Sequence, residues 1–228
     1  MFPIRKRHTL LVLTTFVYLL FGCKSSKVIS PDVNTSDTVE ASIPKAPPET
    51  LASFLTEYLQ ENYKERVFEK YIYVSVNRQR LYLIINDSII KRYPVSTAKK
   101  GIGSKSGSNK TPTGLHSIKR KIGKDVPYGG IIRARVYTGK IAKIFTEKKR
   151  ANRDYITSRI MWLQGEDFGL NKGRNVDSYK RYIYIHGTPE EGFVGEAASH
   201  GCIRMTNADV IALFEWVDEG IPVLIMQD

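Results

Sequence analysis

The chain has 228 residues, a net charge of +12, 42% hydrophobic and 11% aromatic residues, and two cysteines. Such a composition excludes a long disordered polymer, and two cysteines cannot build a zinc-finger or disulfide scaffold. The only apolar run lies at the N-terminus, which excludes a multispanning membrane protein and leaves one compact domain with an appendage, or two small domains.

Residues 1–22 open with Arg5, Lys6 and Arg7 and continue in a short apolar stretch from Thr9 to Phe21. A positive segment followed by a run too short for a comfortable membrane span predicts a secretory signal. Its end, Leu20-Phe21-Gly22-Cys23, resembles the lipobox of bacterial lipoproteins. That resemblance implies cleavage before Cys23, lipidation of its sulfur, and a partner in the membrane through the lipid anchor. Lys24, where an aspartate would favour inner-membrane retention, resembles outer-membrane sorting in enteric-type bacteria. A basic exported protein is drawn to anionic envelope polymers, and export makes nucleic acid a poor partner.

Residues 23–48 are rich in Ser, Thr, Asn and Pro without hydrophobic period, a tether averaging about 25–30 Å and reaching roughly 80 Å. Leu51, Phe54, Leu55, Tyr58, Leu59, Tyr63 and Val67 then fall three and four apart, predicting an amphipathic helix within 49–69 that starts near Thr50 or Ser53. Its expected role is packing on the domain that follows, residues 70–228.

From residue 71 the pattern becomes that of strands. Tyr71–Val76, Leu81–Ile85 and Ile89–Val95 are β-branched and aromatic, with Asn86-Asp87 as a hairpin turn. A Gly/Ser/Lys-rich loop ends in Thr111-Pro112-Thr113-Gly114. Further strands are expected at Leu115–Lys119, Ile131–Tyr137, Ile160–Leu163, Arg181–His186 and Ile221–Met226. Thr206 and Asp209 can cap a last helix carrying Val210, Ile211, Leu213, Phe214 and Val217, with Gly220 and Pro222 ending it. The fold class is mainly β.

Chemistry concentrates near the second cysteine. His186 stands at a strand's end, and Ser199-His200-Gly201-Cys202 follows within sixteen positions. A thiol nucleophile needs a base, and imidazole has a suitable reference pKa. Gly201 lets a substrate approach the backbone, and the Gly201 and Cys202 amides are candidates to hold an oxyanion. These parts make an acyl-transfer site. Two other readings use the same residues: a packed, inert core thiol, or a zinc site of His186, His200 and Cys202. With the reference imidazole pKa, an acyl-transfer site predicts activity rising from acid to neutral pH and falling again in alkali as the acid form is lost. On the same premise, a rate flat between about pH 5 and 9 would exclude imidazole as the base.

Ile185-His186-Gly187-Thr188 with Ser199-His200-Gly201-Cys202-Ile203-Arg204-Met205 resembles the signature of the L,D-transpeptidase catalytic-domain family, also called the YkuD family. Thr111-Pro112-Thr113-Gly114 and Arg181-Tyr182-Ile183-Tyr184 resemble its upstream turn and the strand entering its histidine. The resemblance covers roughly residues 70–228 and implies a β-sandwich with a capping helix. It makes Cys202 the nucleophile, His186 the base, and the Gly187 carbonyl the histidine's partner. Ser199, His200 and Arg204 take supporting positions, where shaping the loop is the plainer role for Ser199.

The implied activity is transfer of a peptidoglycan stem-peptide acyl group to an amine through a Cys202 thioester, with no metal or organic cofactor. Hydrolysis of the same thioester, giving an L,D-carboxypeptidase or amidase, is the alternative. A non-catalytic, envelope-binding lipoprotein is the reading from another class. Lys140, Lys143, Lys148, Lys149, Arg150 and Arg153 form a basic run before His186. That run suits a lid or a contact surface for anionic glycan or lipid, and equally a solvated loop face.

Overall fold

A computed structural model of the chain describes residues 50–228, which lie in one packed unit. The signal segment, Cys23 and the whole tether lie outside the described residues. The element order is α1 (Leu51–Asn62), β1 (Lys70–Ser75), β2 (Arg80–Ile85), β3 (Ser88–Pro94), β4 (Gly114–Ile122), β5 (Gly130–Arg133), β6 (Val136–Ile141), β7 (Ile156–Gly165), β8 (Tyr184–Gly187), β9 (Ile203–Met205), α2 (Asn207–Trp216) and β10 (Pro222–Met226). The protein is mainly β with two helices.

All ten strands join one hydrogen-bonded sheet in the order β3-β2-β1-β10-β4-β7-β5-β6, with β8 branching from β7 and β9 from β8. Side chains alternate across β1 and give the sheet two buried faces. Ile72 and Val74 enter a large core shared with Leu83, Ile185, Ile203 and the α2 residues Val210, Leu213 and Phe214. Strands from the β1–β3 end and from the β8–β9 branch therefore meet in one core, and the sandwich is made by a single sheet curling back on itself. Tyr71 and Tyr73 point the other way, onto Leu55 and Leu59 of α1. The helix thus seals the outer face of β1, and full burial of each leucine stabilises by about 1.5–3 kcal/mol.

Helix α1 is shorter than its apolar spacing suggests. Thr50 caps it by accepting from the Ser53 amide at 3.3 Å, but Tyr63 leaves the helical region and Val67 is 86% exposed. Tyr63 instead packs edge-on against Phe68 and donates its hydroxyl to Asp167 at 3.1 Å. The stretch read as one strand at Ile131–Tyr137 is a hairpin, β5–β6. Its turn residues Ala134 and Arg135 both have positive φ, a conformation their side chains do not advertise. Arg135 is held there by its guanidinium, 5.1 Å from the Trp162 ring centroid and 5.3 Å from that of Tyr182. Likewise Arg181–Ile183 is not strand, because Tyr182 has φ +57° and kinks the chain before β8 begins at Tyr184. Helix α2 has the expected cap, Thr206 accepting from the Asp209 amide at 3.1 Å.

Candidate active site

Strands β8 and β9 run parallel, with His186 opposite Arg204 and Gly187 opposite Met205. His186 is 3% exposed, and its Nδ1 lies 2.7 Å from the Gly187 carbonyl. A carbonyl only accepts, so Nδ1 carries the proton and Nε2 keeps the lone pair. Gly187 has no space for a side chain: a Cβ would stand 2.6 Å from the Thr157 carbonyl and 2.8 Å from Asn207 Oδ1. The close packing of β8 on β7 and α2 therefore demands glycine beside the histidine.

Cys202 lies on the bend that leads into β9, so it and His200 do not share a strand face. Its sulfur accepts from the Tyr184 amide at 3.4 Å and donates to the Tyr182 carbonyl at 3.3 Å. The half-buried thiol also packs against the apolar group containing Ile160, Trp162 and Tyr184. No hydrogen bond joins it to His186 among the described residues. Both side chains line one cavity of about 120 Å³, together with Asp154, Ile156, Ser199, His200 and Arg204.

The bend is braced from both sides. Ser199 Oγ donates to the Cys202 carbonyl at 2.6 Å and accepts the Gly201 amide at 3.2 Å. Ser199 thus shapes the loop, and the Gly201 N–H, expected at an oxyanion, is already engaged. The Cys202 amide has no partner among the described residues. From the Thr-Pro-Thr-Gly turn, Thr111 Oγ1 donates to the Gly201 carbonyl at 3.0 Å and accepts the Ala98 amide at 2.9 Å. Gly201 itself sits at φ +131°, with the Lys110 carbonyl 3.3 Å from where a Cβ would be.

Charge is arranged around the bend rather than within it. Arg204, 1% exposed, pairs with Glu190 at 3.2 Å and with Asp154. Glu190 also receives Arg150 at 2.7 Å and the Ala151 amide at 3.0 Å, and Asp154 receives His200 Nδ1 at 3.0 Å. A buried guanidinium needs such partners, because an unpaired charge is costly away from water. Through Arg150 and Asp154 the end of the basic run becomes a wall of the site, while Lys140, Lys148 and Lys149 stay at the surface.

Both His186 and Cys202 are neutral around pH 7. Burial lowers the His186 pKa to about 4, against smaller opposing effects from the Gly187 bond and the Asp154 charge. Burial likewise raises the Cys202 thiol to about 11, with the Tyr184 amide opposing. Asp154 is held below the ordinary carboxylate range: burial raises its pKa, but the Arg204 charge, His186 once it is protonated in acid, and the bonds from His200 and Arg204 together outweigh it. The arrangement can pass the thiol proton to an imidazole lone pair as sulfur attacks, with no standing ion pair.

The structure thus gathers His186, Gly187, Ser199, His200, Gly201, Cys202 and Arg204 into one place; Cys23 lies outside the described residues. Sequence reasoning missed Asp154, Glu190 and the Asn207 bridge, which accepts from Thr157 and Ser158 and donates to the Thr188 carbonyl. One signal was present: an arginine between Ile203 and Met205 in a short strand requires acidic partners from elsewhere.

A protein-family model described as the L,D-transpeptidase catalytic domain (YkuD) matches residues 69–225. The "Putative L,D-transpeptidase YkuD" of Bacillus subtilis (strain 168) is 27% identical over 156 residues, 68% of this chain and 65% of that protein. The "Putative L,D-transpeptidase YqjB" of the same organism is 50% identical over 48 residues, 21% of this chain and 27% of that one. The chain thus spans less than two thirds of either relative. Among solved structures, an L,D-transpeptidase from Mycobacterium smegmatis is similar at TM-score 0.42 and 16% identity, covering 69% of this chain and 58% of that one.

Proposed function

The chain belongs to the L,D-transpeptidase catalytic-domain family, and from that premise we propose that it transfers peptidoglycan stem-peptide acyl groups through a Cys202 thioester. The Cys202 sulfur attacks the carbonyl of the third stem residue while its proton passes to His186 Nε2. The bond to the following D-amino acid breaks, and its nitrogen leaves with the proton from the imidazolium. An amine on a neighbouring stem, or a lysine amine of an envelope protein, then attacks the thioester. It loses its proton to Nε2, and the sulfur leaves to regain one. The Cys202 amide is the donor available to the oxyanion in both halves.

The observation that carries this reading is the 2.7 Å contact between His186 Nδ1 and the Gly187 carbonyl. It fixes the tautomer whose free lone pair lies on the other ring nitrogen, in a histidine that lines the thiol's cavity. Incubation with a stem tetrapeptide, read by intact mass, tests it. The expected result is an acyl adduct on Cys202 and, with an amine acceptor present, the crosslinked product. Equal turnover by Cys202→Ala overturns the reading, and a tripeptide acid as sole product assigns the hydrolytic alternative.

For location we propose a periplasm-facing lipoprotein anchored through Cys23, held on the outer membrane. A Cys23→Ser variant is expected to lack the mature lipidated form. Unchanged processing and membrane fractionation of that variant overturn the proposal.

A further inference from the structure

A second cavity, of about 380 Å³, opens beside the thiol's and shares Asp154, Ser199, His200 and Arg204 with it. Its charged lining is unbalanced. Asp154 is taken by Arg204 and His200, and Glu190 by Arg204 and Arg150. That leaves Lys99, Lys100 and Arg153, which line the cavity and form no ion pair among the described residues.

These three cations are not scattered surface charges, because Lys99 is tied to the bend by its own backbone and Lys100 and Arg153 each adjoin a residue that is bonded to it or to its partners. The Lys99 amide donates to the Ser199 carbonyl at 3.0 Å, and Ala98 forms a bridge with Ser199. Lys100 follows in the turn closed by the Gly101 amide on the Ala98 carbonyl at 3.0 Å. Arg153 precedes Asp154, whose carboxylate is fixed on Arg204 and His200. Two separate segments therefore bring positive charge to one mouth next to the sulfur, and a cleft of one sign concentrates the opposite ion.

We propose that this cavity is the subsite for the α-carboxylate of the residue expelled when the thioester forms, an inference that rests on the acyl-transfer reading above. In a four-residue stem the terminal carboxylate is separated from the attacked carbonyl by only a nitrogen and one carbon, about 4 Å in space. The two cavities share Asp154, Ser199, His200 and Arg204, so the carboxylate of a stem whose carbonyl meets Cys202 has this basic mouth as its neighbouring space. A donor extended by a further residue replaces this charge with a neutral amide, which the three cations do not reward. Each exposed cation contributes little alone, so the effect is expected from the three together.

The test separates binding from chemistry. In a Cys202→Ala background, the affinity of a stem tetrapeptide is measured at low salt as the free acid and as its C-terminal carboxamide. The free acid is expected to bind about tenfold tighter. Adding Lys99→Ala, Lys100→Ala and Arg153→Ala should erase that preference and leave carboxamide affinity unchanged, whereas Lys99→Arg with Lys100→Arg should keep it. Equal affinity for the two peptides in the parent, no binding of either, or an equal loss for both in the triple variant overturns the proposal. The intact-mass adduct on unmodified Cys202 is read independently, so a failed subsite and a failed acyl-transfer reading give different results.

Discussion

Asp154 and Arg204 form an ion pair with one end buried and the other open: the guanidinium side chain is 2% exposed and the carboxylate 38%. The pair fastens the long segment after β6 to strand β9, beside the histidine. Asp154 therefore has two roles, as a partner for a buried cation and as a negative charge felt by His186.

Asp154→Asn should separate these roles. Arg204 keeps Glu190, so the loss of stability is expected at about 1–3 kcal/mol, measured by urea unfolding. The Asp154 charge raises the His186 pKa, so its removal should move the acid limb of the pH–rate profile to lower pH. An unmoved limb would show that the charge is screened from the imidazole.

The pH–rate profile of the unmodified protein should be flat from about pH 5 to 9, with an acid fall centred near pH 4. The active form carries a neutral imidazole and a neutral thiol, and the limits belong to the pair rather than to either group. The reference histidine value places the rise between acid and neutral pH, and takes a flat profile as evidence against imidazole. Burial of His186 reverses that inference, which only the packing around the ring could reveal. A limb near pH 6.5 would show a hydrated histidine instead.

Acid should destabilise the fold before the carboxylates titrate. His116 is fully buried, within 2.9 Å of Ser178 Oγ and 3.1 Å of the Gly114 carbonyl, and burial lowers its pKa to about 4, as at His186. Between the folded value and the reference 6.5 the unfolded chain binds protons that the native state refuses. Stability therefore falls as pH drops through that window and levels off below about 4. Each histidine is expected to cost about 2–3 kcal/mol between pH 7 and 4.5. His116→Gln should remove roughly half of that drop in urea unfolding at the two pH values, whatever it costs at pH 7.

Thr111→Val keeps the shape of the side chain and removes its hydroxyl. The buried Ala98 amide and the Gly201 carbonyl each lose a partner, at an expected cost of about 1–3 kcal/mol. Because Gly201 precedes the thiol, turnover should fall further than stability predicts. Activity equal to the parent's at a temperature where the variant is fully folded would confine Thr111 to a structural role.

What the sequence made legible was whatever is written locally. Asn86 and Asp87 announce a turn and adopt positive φ, and Thr206 announces a helix start and caps it. Ala134, Arg135 and Tyr182 adopt positive φ too, but Arg135 and Tyr182 are held there by tertiary contacts that no local pattern announces, so strands were expected through all three. The histidine, thiol and their glycines were legible because their spacing is itself the motif. Asp154 was not, since it follows a basic run that reads as a solvated surface. Its importance arises only when Arg204 is buried opposite.

Strand β10 lies between β1 and β4, pairing Ile72 with Val223 in parallel and Leu115 with Leu224 in antiparallel. The middle of the sheet is therefore closed by the strand that comes last in chain order. Until it emerges from the ribosome, the β1–β3 meander can meet the strands from β4 onward only through bridges beyond β3, of Ser96 with Arg204 and of Ala98 with Ser199. Both β1 and β4 present bare edges open to chaperones or to other chains. Pairings this distant in sequence also slow closure, since a long loop must be ordered before the contacts repay it. The sheet is thus completed only by its last strand in chain order.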